Sequence, residues 1–478
     1  MIRDGASYLN ALQDGRVVYY RGKRVSDVVK HPVLGVTARH TAQLYDFHRQ
    51  EFSPPLVVRE RESGEEISAF YQPPLQEDEL RGRGELIYQT TRQSRAVFNI
   101  VKVVGSDALF ALLIATRQMD EKLGTSYHER VKRYLQHVAH GDIATVTAQT
   151  DVKGDRSLRP HQQADPDLYV RIKERRQDGI VVSGAKVHIT QAPVAEEILV
   201  IPCRAMTEQD TDYAVAFAVP AHAPGLKMIC RPLLEVEGAQ HPLEGPRVLH
   251  NALIEALLVF DDVFIPWERV FLCGETFYAG VVANTFALWH RYSAIRYRSA
   301  QADMILGLAL ELAEANGVVS KGHIRRNLTA LILFAEMQRM GAEMAALRAT
   351  VDAGTGIVCP NPIYTNLGKL YSNAHYLEAV QALVDCAGGL AVTAPGGEDY
   401  TNPETREYVR KYLAGNTRVE SEKRFKLFLL ARELVGLLGG LETVTMIHAE
   451  GSIEASVIEL LRSYDFRPMR ECVDQLVD

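Results

Sequence analysis

Thr147-Ala-Gln-Thr-Asp-Val-Lys-Gly-Asp-Arg-Ser-Leu-Arg-Pro160 is where the chain changes character. The residues leading into it, Ile143 to Thr147, alternate as a half-buried strand does. Asp151, Lys153, Asp155, Arg156, Ser157 and Arg159 then crowd around one glycine, Gly154. A strand opening into a loop this dense in hydrogen-bonding groups suits an anionic, polar ligand. The plainer alternative is a solvated charged turn.

Working outward, residues 1–140 read mainly as helix, with a candidate strand at Val17–Tyr20. Two helices, Gly84–Gly105 and Asp107–Met119, are expected to meet at Gly105, and another runs from Ser126 to His140. Residues 141–275 carry β-branched runs between turns: 143–147, 168–174, 179–189, 197–202, 213–219, 225–229 and 257–263. Asp178-Gly179 signals a hairpin, and Ser183-Gly184-Ala185-Lys186 a tight turn or bulge. With no crossover helices, these runs predict an antiparallel barrel or sandwich rather than a Rossmann domain. From Phe277 the helical period returns in four long segments, 277–314, 321–353, 366–386 and 420–462, which predict a bundle. The fold class is α+β, in three domains: N-terminal helical (1–140), β (141–275) and C-terminal helical bundle (276–478).

Composition narrows the function. The 478 residues are 47% hydrophobic and 24% charged, ordinary for a globular protein. A net charge of −7 argues against a nucleic-acid partner, which needs a basic face. No apolar run reaches membrane-spanning length and Met1-Ile-Arg-Asp-Gly5 has no signal core, so no membrane partner and a cytoplasmic location are expected. The six cysteines are scattered without a C-x-x-C, which argues against a zinc ribbon or ferredoxin-type cluster. There is no G-x-G-x-x-G, nucleophile elbow or H-E-x-x-H.

Several residues remain as candidates for chemistry. His290 and Tyr297 lie seven apart on the first bundle helix and so share a face, as do Arg291 and Arg298. Such a helix could address an anionic or phenolic substrate; a structural interhelical histidine is the plainer alternative. Lys186, His188, Thr190 and Gln191 end a strand and could all face a ligand or water. Glu255 precedes a buried-looking strand and is either a general base or a strand-end charge. Gly388 and Gly389 either let a backbone approach something flat or merely stop a helix.

Longer stretches carry a family resemblance. They are Gly5-Ala-Ser-Tyr-Leu9, Asp14-Gly-Arg-Val-Val-Tyr19, His31-Pro32, Lys153 to Pro160, Gln163-Ala-Asp-Pro-Asp-Leu168, Asp178 to Lys186, Phe260 to Phe271 and Ala387-Gly-Gly-Leu390. Together they resemble the flavoprotein superfamily of 4-hydroxyphenylacetate 3-hydroxylase (oxygenase component) and 4-hydroxybutyryl-CoA dehydratase. The resemblance covers nearly the whole chain. It implies an acyl-CoA-dehydrogenase-like fold with a central antiparallel β-barrel, a homo-oligomer (a tetramer), and non-covalent FAD. Gln149, Asp151, Lys153, Asp155, Arg156, Ser157, Lys186, His188, Thr190 and Gln191 would lie against the flavin, with Gly388 and Gly389 contributing from the bundle.

Within the superfamily the chain departs from the dehydratase, which holds an iron–sulfur cluster through three cysteines and a histidine. Here those positions fall on Asn99, Val103, Tyr297 and His290, so only the histidine remains. Thiolates hold such clusters, and neither an iron–sulfur cluster nor another metal is expected. Two chemistries then suit the resemblance. In the first, FADH2 from a separate flavin reductase lets a two-component monooxygenase hydroxylate a phenolic or heteroaromatic small molecule, with His290, Arg291 and Tyr297 around the substrate. In the second, a cluster-free flavoenzyme isomerises, dehydrates or desaturates an acyl-CoA, with Glu255 or His290 as base. A catalytically silent paralogue is a third reading, supported only by the missing ligands.

Overall fold

The computed structural model describes residues 2–239, 241–437 and 439–477. Two open sheets lie between helical regions. The first has six strands: β1 (Val17–Tyr20), β2 (Lys23–Val25), β4 (Arg171–Arg175), β5 (Gly179–Thr190), β8 (Leu226–Cys230) and β9 (Glu255–Pro266), in the order β2-β1-β8-β9-β5-β4. The second has four: β3 (Thr145–Ala148), β6 (Glu197–Val200), β7 (Val215–Pro220) and β10 (Val270–Cys273), in the order β10-β7-β6-β3. No closed barrel forms among the described residues. Pairing is mixed: β1–β8 and β3–β6 run parallel, the others antiparallel. The N-terminal segment is not purely helical, because its hairpin extends the six-stranded sheet.

The expected turn at Ser183–Lys186 is absent. Residues 179–190 form one strand with two irregularities in its pairing to β9: one on β5 itself between Lys186 and Ile189, and a bulge on β9 between Phe260 and Val263. Asp262 occupies that bulge at φ 54°, held by Ser183 Oγ, which donates to its carboxylate at 2.6 Å. Gly184 lets β5 pass close to the neighbouring chain, since a Cβ there would meet the Tyr169 carbonyl oxygen at 2.2 Å.

The principal helices are α1 (Leu34–Asp46), α2 (Glu77–Gln93), α3 (Val103–Leu123), α4 (Tyr127–His140), α5 (Thr276–Ala315), α6 (Gly322–Leu347), α7 (Pro362–Ala387), α8 (Ser421–Arg432), α9 (Gly439–His448) and α10 (Ile453–Ser463). The break in the N-terminal region is at 94–102, not Gly105. Arg95, Ala96 and Lys102 adopt positive φ there, whereas Gly105 lies inside α3. Gly105 is needed for packing, because a Cβ would overlap the Thr145 side chain on β3. The expected single helix 420–462 is three helices, with a π-helical stretch at Glu433–Leu437 and a turn at 449–452. None of the described helices is long and apolar enough to cross a membrane.

α5 organises the molecule. At ~1.5 Å rise per residue its 40 residues span about 60 Å. It packs against α2, α3, α6 and α7, and residues 291–300 are buried all round. A helix enclosed in this way must pair every polar side chain it carries, and those pairs define the site.

Candidate active site

The β3 strand leads directly onto α5. At its end, Gln149 Nε2 donates to the Ala283 carbonyl at 3.4 Å. The buried Lys186 on β5 pins the next residues, its ammonium donating to Gln149 O at 2.8 Å, Asp151 Oδ1 at 2.7 Å and Ile201 O at 3.0 Å. All three Lys186 donors are thus used within the chain. Gln191 is equally committed: fully buried, it accepts from Ile254 N at 3.1 Å and donates to Thr41 Oγ1 at 3.2 Å.

Past Asp151 the loop turns outward at Gly154, φ 54°. Asp155 accepts from Ser157 N and Oγ, at 2.9 and 2.6 Å, so these two largely satisfy each other. Lys153 and Arg156 are exposed and their side chains bond no described residue. His188, exposed at φ 60°, faces Lys153 and, from the end of α9, His448. Burial first, then these two neighbours, hold its imidazole below the ordinary value. Thr190 is half-buried opposite Glu255. The expected cofactor set therefore divides. Gln149, Asp151 and Lys186 shape the loop, Gln191 is tied to Ile254 and Thr41, and Lys153, Arg156, His188 and Thr190 retain groups for a ligand.

On α5, Arg291, Tyr297 and Arg298 converge on the turn after α9. Glu450, buried at φ 56°, accepts from Tyr297 Oη at 2.7 Å and from Arg298 Nη2 at 2.5 Å. Arg291 Nε donates to the Glu450 carbonyl at 3.1 Å and its Nη1 to Asn366 Oδ1 at 2.9 Å. Lys369 Nζ on α7 donates to the Gly451 carbonyl at 2.6 Å. Burial would raise the Glu450 carboxyl, but Arg298, His290 and Lys369 outweigh it and hold it below its ordinary value. Burial, with Arg298 adding repulsion, pulls the Lys369 ammonium down to about 7. Tyr297 stacks on Phe98 with ring centroids 4.4 Å apart, and burial raises its phenol.

His290 differs from these. Its ring stacks on Phe286 at 5.2 Å, and Nδ1 is buried without a hydrogen-bond partner, 3.7 Å from Asp107 Oδ2. Glu255 lies elsewhere, as the first residue of β9, ion-paired with Arg231, which also binds Glu235. Burial raises its carboxyl against the opposing pull of Arg231. The structure thus brings His290, Arg291 and Tyr297 together and leaves Glu255 in a separate ion pair.

Gly388 and Gly389 do not join this cluster within one chain. They follow α7 at its far end, where Asn316, just past α5, donates to the Cys386 carbonyl at 3.0 Å. His290 and Asn316 are about 39 Å apart along the helix.

Sequence reasoning missed Glu450, Lys369 and Asp107. Only Glu450 left a local trace, a Glu-Gly pair ending a helical run. At the positions that resemble cluster ligands, Asn99 donates to the His40 carbonyl at 3.0 Å, Val103 opens α3 and Tyr297 faces Phe98. An amide, an alkyl group and a phenol supply no thiolate, so this set does not fit the cluster. Among the described residues no other group of His, Cys, Asp and Glu is arranged to hold a metal.

Comparison with known proteins places this geometry. The N-terminal profile of 4-hydroxyphenylacetate 3-hydroxylase matches residues 4–272, and its C-terminal profile residues 279–478. The chain belongs to the 4-hydroxyphenylacetate 3-hydroxylase family. Relatives within reach of this family divide between two chemistries. A 4-hydroxybutyryl-CoA dehydratase/vinylacetyl-CoA-Δ-isomerase of Clostridium aminobutyricum is 31% identical over 98% of each chain. The oxygenase component of 4-hydroxyphenylacetate 3-monooxygenase of Thermus thermophilus is 29% identical over 91% of this chain and 88% of its own. A solved oxygenase component complexed with FAD and 4-hydroxyphenylacetate superposes with a TM-score of 0.90 at 25% identity, covering 99% of this chain and 98% of that one. An archaeal 4-hydroxybutyryl-CoA dehydratase from N. maritimus superposes with a TM-score of 0.92 at 28% identity, covering 100% and 95%. As a member of this family the protein is an enzyme of the flavin-dependent monooxygenase group.

Proposed function

We propose that the protein is the oxygenase component of a two-component monooxygenase, which takes reduced FAD from a separate reductase and hydroxylates a phenolic or heteroaromatic small molecule. The residues present suit FAD. The exposed Lys153 and Arg156 offer cationic donors to its diphosphate beside His188 and Thr190, and the pinned Gln149–Asp151 segment keeps that loop against α5. Bound reduced FAD supplies the activation of dioxygen.

The chain's own residues supply the rest. The observation that carries the reading is His290: its neighbours Arg291, Tyr297 and Arg298 are tied to the Glu450 turn, while its imidazole is hydrogen-bonded to no described residue. His290 is the group positioned to accept or return the proton of a ring hydroxyl. Beside it, Arg298 donates to the Glu450 carboxylate, while Arg291 and Lys369 donate to the Glu450 and Gly451 carbonyls. Arginines held this way would favour an anionic phenolate over the neutral phenol. The enclosed wall of α3, α5 and α7 keeps water from the reacting atoms.

His290→Ala should retain FAD and lose product formation; full activity would make His290 structural. Arg156→Ala should weaken FAD binding about tenfold, the worth of one charge-assisted contact. Unchanged affinity would remove the loop from the flavin site.

One observation favours a second reading. The likeness to the dehydratase extends over 98% of both chains, so flavin chemistry on an acyl-CoA, with His290 or Glu255 as base, is the competing activity. Turnover of an acyl-CoA without oxygen would establish it.

A further inference from the structure

We propose that Asp107 is the positioning residue that fixes the tautomer of His290. The proposal rests on the reading of His290 above, but it stands on separate geometry. Asp107 is fully buried on α3. Its Oδ1 accepts from Arg83 Nη2 at 2.7 Å and from Ser293 Oγ at 3.0 Å. Its Oδ2 has no partner. The unpartnered Nδ1 of His290 lies 3.7 Å away, one helical turn before Ser293 on the same face of α5.

Two buried, unsatisfied polar atoms are costly apart and complementary together. A carboxylate oxygen only accepts, so it meets Nδ1 favourably only when that nitrogen carries hydrogen. Closing the gap by about 1 Å, through a small ring rotation, satisfies both atoms. The proton on a neutral imidazole then resides on Nδ1, and Nε2 is the acceptor. Glu450, the other carboxylate near His290, accepts from Tyr297 and Arg298 and makes no hydrogen bond to the ring. Arg83 and Ser293 clamp Oδ1, which leaves Oδ2 aimed at the ring. The stack on Phe286 limits the ring's rotation. Asp107 thus touches no reacting atom and acts through His290.

The test is NMR of protein labelled with ¹⁵N in its histidine rings, with His290→Gln used to assign the His290 signals. In the wild type the ring should show the Nδ1–H pattern. In Asp107→Asn the new amide donates toward Nδ1 and should shift His290 to the Nε2–H pattern. In Ser293→Ala, which leaves Oδ2 untouched, the wild-type pattern should persist. A wild-type ring in the Nε2–H form overturns the proposal, even if Asp107→Asn does not fold. So does an Asp107→Asn spectrum identical to wild type. With a turnover assay in hand, Asp107→Asn should lower kcat at least tenfold while FAD affinity stays within twofold. An inverted tautomer with undiminished kcat would keep the positioning role and remove His290 from turnover, so the two readings fail separately.

Discussion

Glu450 is the residue on which the buried polar cluster closes. A non-glycine at positive φ is strained, and it persists because its surroundings over-determine it. Here Tyr297 and Arg298 hold its carboxylate and Arg291 its carbonyl. Glu450→Gln leaves these cations uncompensated in a buried place, and should lower stability by about 3–5 kcal/mol in urea unfolding. A loss below ~1 kcal/mol would mean that the cluster is solvated. Tyr297→Phe removes one charge-assisted bond and keeps the Phe98 stack, so it should cost about 2 kcal/mol by the same measurement. A neutral effect would show that the Tyr297 hydroxyl is not held by Glu450. His290 and Tyr297 were legible from the sequence because seven-residue spacing reports a shared helix face. Their partners were not: Glu450 and Asp107 lie more than 150 residues away along the chain, and no local pattern encodes such a pairing.

At the scale of elements, the 94–102 linker between α2 and α3 is tied down by a neutral histidine. His40 Nε2 lies 3.2 Å from the Phe98 carbonyl, to which it donates, and Nδ1 accepts from Asn251 Nδ2 at 2.7 Å. Burial lowers its imidazole to about 4 from 6.5, against the opposing effect of the Phe98 carbonyl. With the folded value below the unfolded one, this contribution is fully present above pH 6.5. It is lost as pH falls toward 4, by about 3 kcal/mol in total. Urea midpoints should therefore fall across that window, and His40→Gln should remove part of the slope. An unchanged slope would show that His40 titrates normally. Because Phe98 stacks on Tyr297, the same window should loosen one wall of the site. The order of helix, sheet and bundle was readable from periodicity. The placing of the break was not, since Gly105 looks like a helix stop but is a packing glycine, and the true break contains no glycine or proline. Of the barrel or sandwich expected for residues 141–275, no closed barrel forms among the described residues. Strand runs alone do not reveal that β1 pairs with β8 and β3 with β6 in parallel, in two separate open sheets.

At the scale of the molecule, one chain separates parts of its expected site: Gly388 and Gly389 follow the end of α7 beside Asn316, which lies about 39 Å along α5 from His290. A glycine pair that serves a flavin must therefore serve one in another copy. Apolar side chains exposed on α6, among them Ile332, Leu333, Met337 and Met340, offer such a copy a surface. Light scattering should accordingly give a multiple of the 53.3 kDa chain, four for the expected tetramer. A monomer that still binds FAD would exclude Gly388 and Gly389 from the site.

The central claim is oxygen insertion supported by reduced FAD, and it is tested most directly with labelled oxygen. The purified protein, FAD, NADH and a separate flavin reductase are incubated with a panel of phenols and heteroaromatics under ¹⁸O₂, and products are weighed by mass spectrometry. The account predicts a hydroxylated product carrying one ¹⁸O atom, lost when the protein is omitted or replaced by His290→Ala. No labelled product from any ring, with anaerobic conversion of an acyl-CoA by the same FAD-loaded protein, would contradict it.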